Sequence, residues 1–401
     1  MWQQIQSNKR KTIILIIFMA LLMLGIGYAG AAYSFGLDNA LIGIVVAFIA
    51  WLILFLTAYF KGDNILLAMN GAKKITHDDN PKLFNVVEEM TLAAGLPKIP
   101  DIYIIDEQAP NAFATGRSPD KAAVAVTAGL LQILNRDELQ AVIAHEMAHI
   151  KNRDTLYMIF VGIMLSSIFL LSDLFLRTRF RSRRSGSSSS SNVEVVILIV
   201  CLILLLLSPF IAQLIYYSIS RKREYLADAC AAQFTRYPVA LADALAKISG
   251  CSIQLKSASK YTASMYIVNP LAFCKKLKVI KDVTSTHPST AERIKILYKM
   301  AGADVAAYNN AFEDVVGKKS NLFSQNLLSS TEPIALVAST SSASANILEK
   351  VERRREVEDM LWKMNNYSFH ECSCGTKIKT PPEYKGQTIA CPHCKTEFLV
   401  K

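Results

Sequence analysis

His145-Glu146-Met147-Ala148-His149 lies near the end of a helical pattern running from Asp137 to Ile150. In a helix, residues four apart share a face, about 6 Å of rise from each other. Both imidazoles can therefore reach one metal ion, with Glu146 beside it and free to act as a base. The chain holds only six histidines, and two of them stand here. A solvated polar face would give the same pair. Against that, Val142, Ile143, Ala144, Met147, Ala148 and Ile150 surround the motif, as in a buried helix. Buried imidazoles and a buried carboxylate need partners, because an unpaired buried charge is costly. A zinc ion supplies one. The spacing points to metal-dependent hydrolysis and leaves a third protein ligand to be found.

Of the 401 residues, 52% are hydrophobic, too many for a soluble protein this rich in charge, so membrane spans are expected beside a soluble part. Residues 12–37 and 39–60 carry no charge. Each stretch exceeds the roughly 20 residues that cross a bilayer as a helix. Two further apolar runs follow, 155–176, interrupted by Asp173, and 195–217, containing Pro209. Lys9-Arg10-Lys11 and Ala29-Gly30-Ala31 imitate a signal peptide and its cleavage site. The apolar run is too long for that, and a second one follows at once, so an uncleaved anchor is expected.

The net charge is +11 and its excess is clustered: Lys9 to Lys11, Arg177 to Arg184, Arg221 to Arg223, Lys275 to Lys281 and Arg353 to Arg355. Most clusters flank apolar runs, which favours anionic lipid head groups over nucleic acid as partner. Keeping Lys9 to Lys11 in the cytoplasm places residues 61–154 there as well. A full third and fourth span would then export a loop with five arginines between 177 and 184, against the positive-inside rule. The expectation is four spans, with a shallow or re-entrant second hairpin as the alternative.

The soluble part reads as helix and short strand. Asn80 before Pro81 starts a helix that Gly95 ends. Residues 101–106, 112–115 and 122–127 read as strands, and Asp137 as the cap of the motif helix. Helix is expected over 224–255, 290–300 and 349–365. Segment 318–345 is Ser-rich and reads as a linker.

A catalytic zinc takes three protein ligands and keeps one open position. Glu224 and Asp228 follow the fourth apolar run, four apart on one helical face. Glu224 can ligate while Asp228 accepts the second ring N–H of a ligating histidine. A charged surface helix would also read Arg223-Glu224 and Asp228. The apolar hairpin favours the ligand, because leaving at 155 and returning by 217 brings Glu224 back toward His149.

Asn111-Ala112-Phe113-Ala114-Thr115-Gly116, the His145–His149 motif, Arg221 through Asp228, and Thr286-His287-Pro288-Ser289-Thr290-Ala291-Glu292-Arg293-Ile294 together resemble the HtpX family of membrane zinc metallopeptidases, related to the CAAX prenyl-protein peptidases. The resemblance covers about residues 1–300. It implies a mainly α membrane protein, zincin-like with a small β-sheet, in the inner cell membrane. It implies zinc held by His145, His149 and Glu224, with Glu146 catalytic. His287 becomes the candidate donor to the oxyanion, or else only a helix-start residue before Pro288. Arg293 is expected to orient the acidic helix. Asn111, Ala112, Phe113 and Ala114 resemble the edge strand on which such peptidases hold an extended substrate. The implied role is quality control of membrane proteins from the cytosolic side, on polypeptide substrates and beside other quality-control proteins.

Cys372, Cys374, Cys391 and Cys394 form a C-x-C…C-x-x-C pattern with sixteen residues between the pairs, suited to a structural zinc in a ribbon of two short hairpins. Disulfides are the rival, disfavoured in a reducing cytosol. His393 is a less suitable ligand than the four thiols. The expected divisions are two spans in 1–61, a peptidase domain in 62–315 interrupted by the apolar hairpin 155–217, a linker and charged helix in 316–366, and a zinc ribbon in 367–401. A catalytically silent adaptor acting through its ribbon is the alternative function; the intact catalytic positions disfavour it.

Overall fold

The structure is a computed structural model and describes residues 2–160, 221–253, 255, 265–268, 288–317, 322–323, 325–329, 332–337 and 347–400. Two long helices open it, α1 (Trp2–Phe35) and α2 (Ala40–Met69), joined by a short turn at Leu37–Asn39. They pack antiparallel through small residues, because a side chain on Gly43 would strike the Gly27 carbonyl and the Ala31 methyl. That close approach is how apolar helices associate where water supplies no drive. α2 leaves Leu41, Ile42, Val46, Ile49 and Ile53 exposed, and a continuous apolar face of this kind calls for lipid. Among the described residues only α2 is long and apolar enough to span a bilayer; the apolar part of α1 is shorter, Thr12–Tyr28. Four full spans are therefore more than the described residues supply. Residues 161–176 and 195–217 of the two later runs lie outside them.

α2 continues nine residues past the apolar stretch that ends at Phe60. Lys61 and Asp63 end the hydrophobic run but not the helix, since both tolerate helical backbone in water. The extension carries Leu67 into a core with Ile105, Phe113 and Tyr266. One rigid helix thus fixes the soluble sheet at the membrane end.

That sheet has the order β1-β2-β4-β3. β2 (Asp101–Ile105) runs parallel to β4 (Ala122–Thr127), while β1 (Ala72–Lys74) and β3 (Ala112–Gly116) pair antiparallel on either side. The short β1 has no alternation of its own and exists because α2 delivers it to the edge of β2. α3 (Pro81–Ala94) starts where Asn80 accepts the Leu83 N–H and ends at Gly95, whose φ of 64° suits glycine. α4 (Ala128–Ile133) leads into α5 (Arg136–Lys151). α6 is described over 154–160 and α7 over 221–235. The helix breaks at Arg236 and α8 (Pro238–Gly250) follows, so the helical content expected over 224–255 is carried by two helices. α9 (Thr290–Lys299) and α10 (Val305–Val316) follow. α5 packs between α3 and α8 and against β3. Phe160 of α6 stacks on Phe55 of α2, with centroids 5.6 Å apart.

The C-terminal extension is braced rather than tethered. Its described segments are α11 (Gln325–Ser329), residues 332–337, α12 (Ile347–Met364) and two hairpins, β5 (Ser368–Glu371) with β6 (Lys377–Thr380) and β7 (Thr388–Ala390) with β8 (Glu397–Leu399). Within the expected linker, Val337 N–H donates to the Arg236 carbonyl at 3.0 Å. α12 buries Val357 and Met360 in the main core. Glu356 pairs with Lys82 at 2.8 Å, and Arg353 donates to the Leu134 carbonyl, next to the start of α5. Val357→Asp would bury an unpaired carboxylate at this seam, costing about 3 kcal/mol. Limited proteolysis should then cut around α12 and release the hairpins, while the unmodified chain resists.

Candidate active site

Asn135, not Asp137, caps α5. Its side chain accepts the Glu138 N–H at 2.8 Å, and the Glu138 carboxylate accepts the Asn135 N–H at 2.8 Å. This reciprocal box satisfies two otherwise free donors at the helix start, and Asp137 falls in the first turn. The helix so fixed buries His145 and Glu146 completely and leaves the His149 side chain 15% exposed.

α7 lies across α5 and brings Glu224 to the histidines. His145 Nε2 and His149 Nε2 are 3.2 Å apart. Glu224 Oε2 is 3.8 Å from the first and Oε1 3.5 Å from the second. One ligand atom from each residue lies within 4.8 Å of the others, a group that can hold a metal ion. The outer ring nitrogens face carboxylates: His145 Nδ1 is 3.0 Å from Asp228 Oδ1, and His149 Nδ1 is 3.1 Å from Asp154 Oδ2. With both Nδ1–H groups donating outward, both Nε2 lone pairs point at one spot and repel unless a cation stands between them. Two imidazoles and a carboxylate are a donor set that suits zinc.

Electrostatics agree. Burial works against charge on His149, but the Asp154 hydrogen bond and the negative charges of Glu224, Asp154 and Glu146 outweigh it and raise its pKa to about 9. The site is built to hold positive charge. Burial pushes the Glu146 carboxyl up to about 7, with Glu224 adding to the rise, in the range that suits a proton acceptor at neutral pH. Neither Glu146 oxygen meets a full hydrogen-bond partner among the described residues, although the Ala114 backbone amide favours its charged form. Beside it is a cavity of about 30 Å³, lined by Ala114, Glu146, His149, Thr155, Met158 and Glu224 among others, enough for water.

Arg293 reaches the same cluster from α9. It is fully buried and grips Asp228 through two hydrogen bonds of 2.8 and 2.7 Å. One of its nitrogens also lies 3.3 Å from Glu224 and 2.9 Å from the Ile267 carbonyl. Tyr308 donates to Asp228 at 3.3 Å. Asp228 is fully buried, and although burial opposes its charge, Arg293 and His145 hold its carboxyl below the usual range.

The edge strand is more closed than its sequence implies. Thr127 N–H donates to the Asn111 carbonyl, so antiparallel alternation turns Phe113 and Thr115 toward β4 and Ala112, Ala114 and Gly116 outward. The Ala112 carbonyl is taken by Ile267 N–H at 3.1 Å, and the Gly116 carbonyl by the Thr155 hydroxyl at 2.7 Å. Asn111 spends its side chain on the Val268 carbonyl at 2.9 Å. Phe113 packs edge-on to Tyr266, on the face away from α5. Of the four expected substrate residues, the structure brings Ala114 to the site and commits Asn111, Ala112 and Phe113 to the fold. His287 lies outside the described residues. Asp154 gave no sequence signal, because a carboxylate five residues beyond His149 would face elsewhere on an unbroken helix. The 265–268 segment, whose Ile267 N–H caps the Ala112 carbonyl, gave no sequence signal either.

At the other end of the chain, Cys372 Sγ is 3.4 Å from Cys394 Sγ, and Cys374 Sγ is 3.8 Å from Cys391 Sγ. All four sulfurs lie within 4.8 Å of one another, across the two hairpins.

Arg293→Ala should be the most damaging single change in the buried network. It strands the Asp228 carboxylate without its cation, a loss of about 3–5 kcal/mol. Chemical unfolding in detergent should register it, and Arg293→Lys should recover only part, because lysine cannot make the paired contact.

Residues 77–301 match the model of peptidase family M48. The chain is 42% identical over 299 residues to the protease HtpX homologue of Dictyoglomus turgidum, covering 75% of this chain and 94% of that one. It is 43% identical over 246 residues to the HtpX homologue of Tropheryma whipplei, covering 60% and 80%. The crystal structure of S. mikatae Ste24p is similar at 21% identity and a TM-score of 0.42, over 74% of this chain and 67% of its own. The chain belongs to peptidase family M48 and is a zinc metallopeptidase of the HtpX family.

Proposed function

We propose that this metallopeptidase is an endopeptidase that cuts unfolded or membrane-derived polypeptides at the cytosolic face of the cell membrane. The convergence of His145 Nε2, His149 Nε2 and a Glu224 oxygen beside the buried Glu146 carboxylate carries the reading. His145, His149 and Glu224 hold the zinc, which when bound supplies a Lewis acid and acidifies water. Glu146 takes a proton from water in the adjoining cavity and passes it to the leaving amine. Its elevated pKa suits both halves of that transfer. Asp228 fixes the His145 ring, and Arg293 fixes Asp228 against Glu224. The Ala114 rung, whose amide faces Glu146, offers an extended peptide its carbonyl, reading main chain rather than side chains. His287 is our assignment for the oxyanion donor besides zinc. Cys372, Cys374, Cys391 and Cys394 hold a second, structural zinc.

A cytosolic, multi-pass arrangement is supported by the basic flank at Lys9 to Lys11 and by α2, which runs from its exposed apolar face directly into the sheet. A ligand set embedded there suits damaged membrane proteins as substrates. The divisions 1–61, 62–315, 316–366 and 367–401 remain our domain assignment, with α12 as the brace.

Purified full-length protein and Glu146→Gln, compared on an unfolded protein substrate, test the function. Glu146→Gln should lose at least about 100-fold in cleavage and keep its zinc. Equal cleavage by the two would refute the assignment. Metal analysis should give about two zinc per chain, falling to about one in Cys391→Ser/Cys394→Ser; an unchanged count would remove the second site.

A further inference from the structure

We infer that Asp154 is the positioning residue of His149, and that Arg223 holds Asp154, so the residues that flank the third and fourth apolar runs in sequence fix one ligand of the metal centre. The inference rests on His149 being a metal ligand.

The backbone makes the contact possible. On an unbroken helix, residues five apart point about 140° from each other, so Asp154 would face away from His149. α5 instead stops at Lys151. Asn152 closes it, and Arg153 takes a φ of 56°, a left-handed conformation that a side chain with a Cβ adopts at a cost. The reversal returns Asp154 beneath the His149 ring, with Oδ2 3.1 Å from Nδ1. Both Asp154 and Arg223 are buried, their side chains 4% and 5% exposed. Arg223 Nη1 lies 3.5 Å from Asp154 Oδ1, and its guanidinium rests 4.4 Å from the centre of the Tyr157 ring, one turn further along α6.

This repeats the arrangement on the other histidine. His145 is backed by Asp228, and Asp228 by Arg293. His149 is backed by Asp154, and Asp154 by Arg223. In each case the carboxylate accepts Nδ1–H, fixes the tautomer that leaves Nε2 inward, and makes the ring a stronger donor to a metal. The difference is where the supports come from. Asp228 and Arg293 belong to α7 and α9, deep in the soluble core. Asp154 stands where the chain leaves for the third apolar run, and Arg223 where it returns from the fourth, one residue before Glu224. Displacing Asp154 or Arg223 would rotate His149 or shift Glu224. The rival view is that Asp154 serves only the start of α6, where an acidic residue suits the helix dipole.

The two views separate in metal binding. Full-length protein in detergent is stripped of metal and titrated with zinc against a competing chelator, and separately loaded with cobalt(II). Cobalt at a nitrogen–oxygen site absorbs weakly, distinct from the strong thiolate bands of the four-cysteine site. Asp154→Ala should bind zinc at the nitrogen–oxygen site roughly 10–100-fold more weakly and change that cobalt spectrum, with the thiolate bands unaltered. Asp154→Asn, the same shape and able to accept the ring N–H, should lose less. Arg223→Gln should shift affinity in the same direction. Wild-type zinc affinity and cobalt spectrum in Asp154→Asn and Asp154→Ala, with only a lowered melting temperature of the stripped protein, would overturn the inference and leave the function standing. Cobalt in the unmodified chain at the thiolates alone would overturn both.

Discussion

The buried pairing of Arg293 with Asp228 is the interaction on which the remaining site geometry hangs. A cluster of two imidazoles and three carboxylates, Glu146, Glu224 and Asp228, is costly to bury, and its charge must be balanced within reach. Arg293 does so from inside the fold, touching Asp228 and Glu224 at once. It also donates to the Ile267 carbonyl, which ties the cluster to the segment lying along β3. α5, α7, α9 and the sheet edge are thereby held in one register. A planar, permanently charged fork can meet these partners together, and a lysine cannot.

A second constraint is the membrane. α2 does not end at the bilayer surface but carries Leu67 into the packing beneath the sheet, and Arg117 lies over the Tyr59 and Phe60 rings, closing the β3–β4 turn onto the same helix. Phe160 on Phe55 joins α6 to it. The cleft therefore keeps a fixed height relative to the helix that enters lipid. Among the described residues, the Ala112 carbonyl is taken by Ile267 and the Gly116 carbonyl by Thr155, which leaves the Ala114 rung between them as the open part of the β3 edge.

The C-terminal extension changes character once its packing is considered. In sequence it reads as a spacer followed by a separate module. In the structure α12 shares the main core through Val357 and Met360 and places Arg353 on the Leu134 carbonyl, immediately before the Asn135 cap of the motif helix. Loss of order at the four cysteines would be felt at α12, and through it at the start of α5.

Much of this was legible in the residues. The metal-binding pair and Glu146 follow from helical spacing, Glu224 and Asp228 from the same rule applied after the apolar hairpin, α3 from its Asn and Gly signals, and β2, β3 and β4 from their apolar runs. Local chemistry suffices there because the partners are near in sequence or share one face of one element. What required the tertiary structure were contacts made by a break or by a distant segment. Asp154 meets His149 only because the chain reverses at Arg153. The Asn135 cap, by contrast, is local: Glu138 answers it three residues on, so the residues themselves carried that signal. Ala112 is closed by Ile267, more than 150 residues away, and α12 docks on α4 by burying apolar side chains in a helix whose sequence is mostly charged. The sequence alone determined which side chains can hold and activate a metal. Only the folded chain decided how those side chains are held and how much of the strand edge stays open, because both depend on long-range pairing that no local pattern encodes.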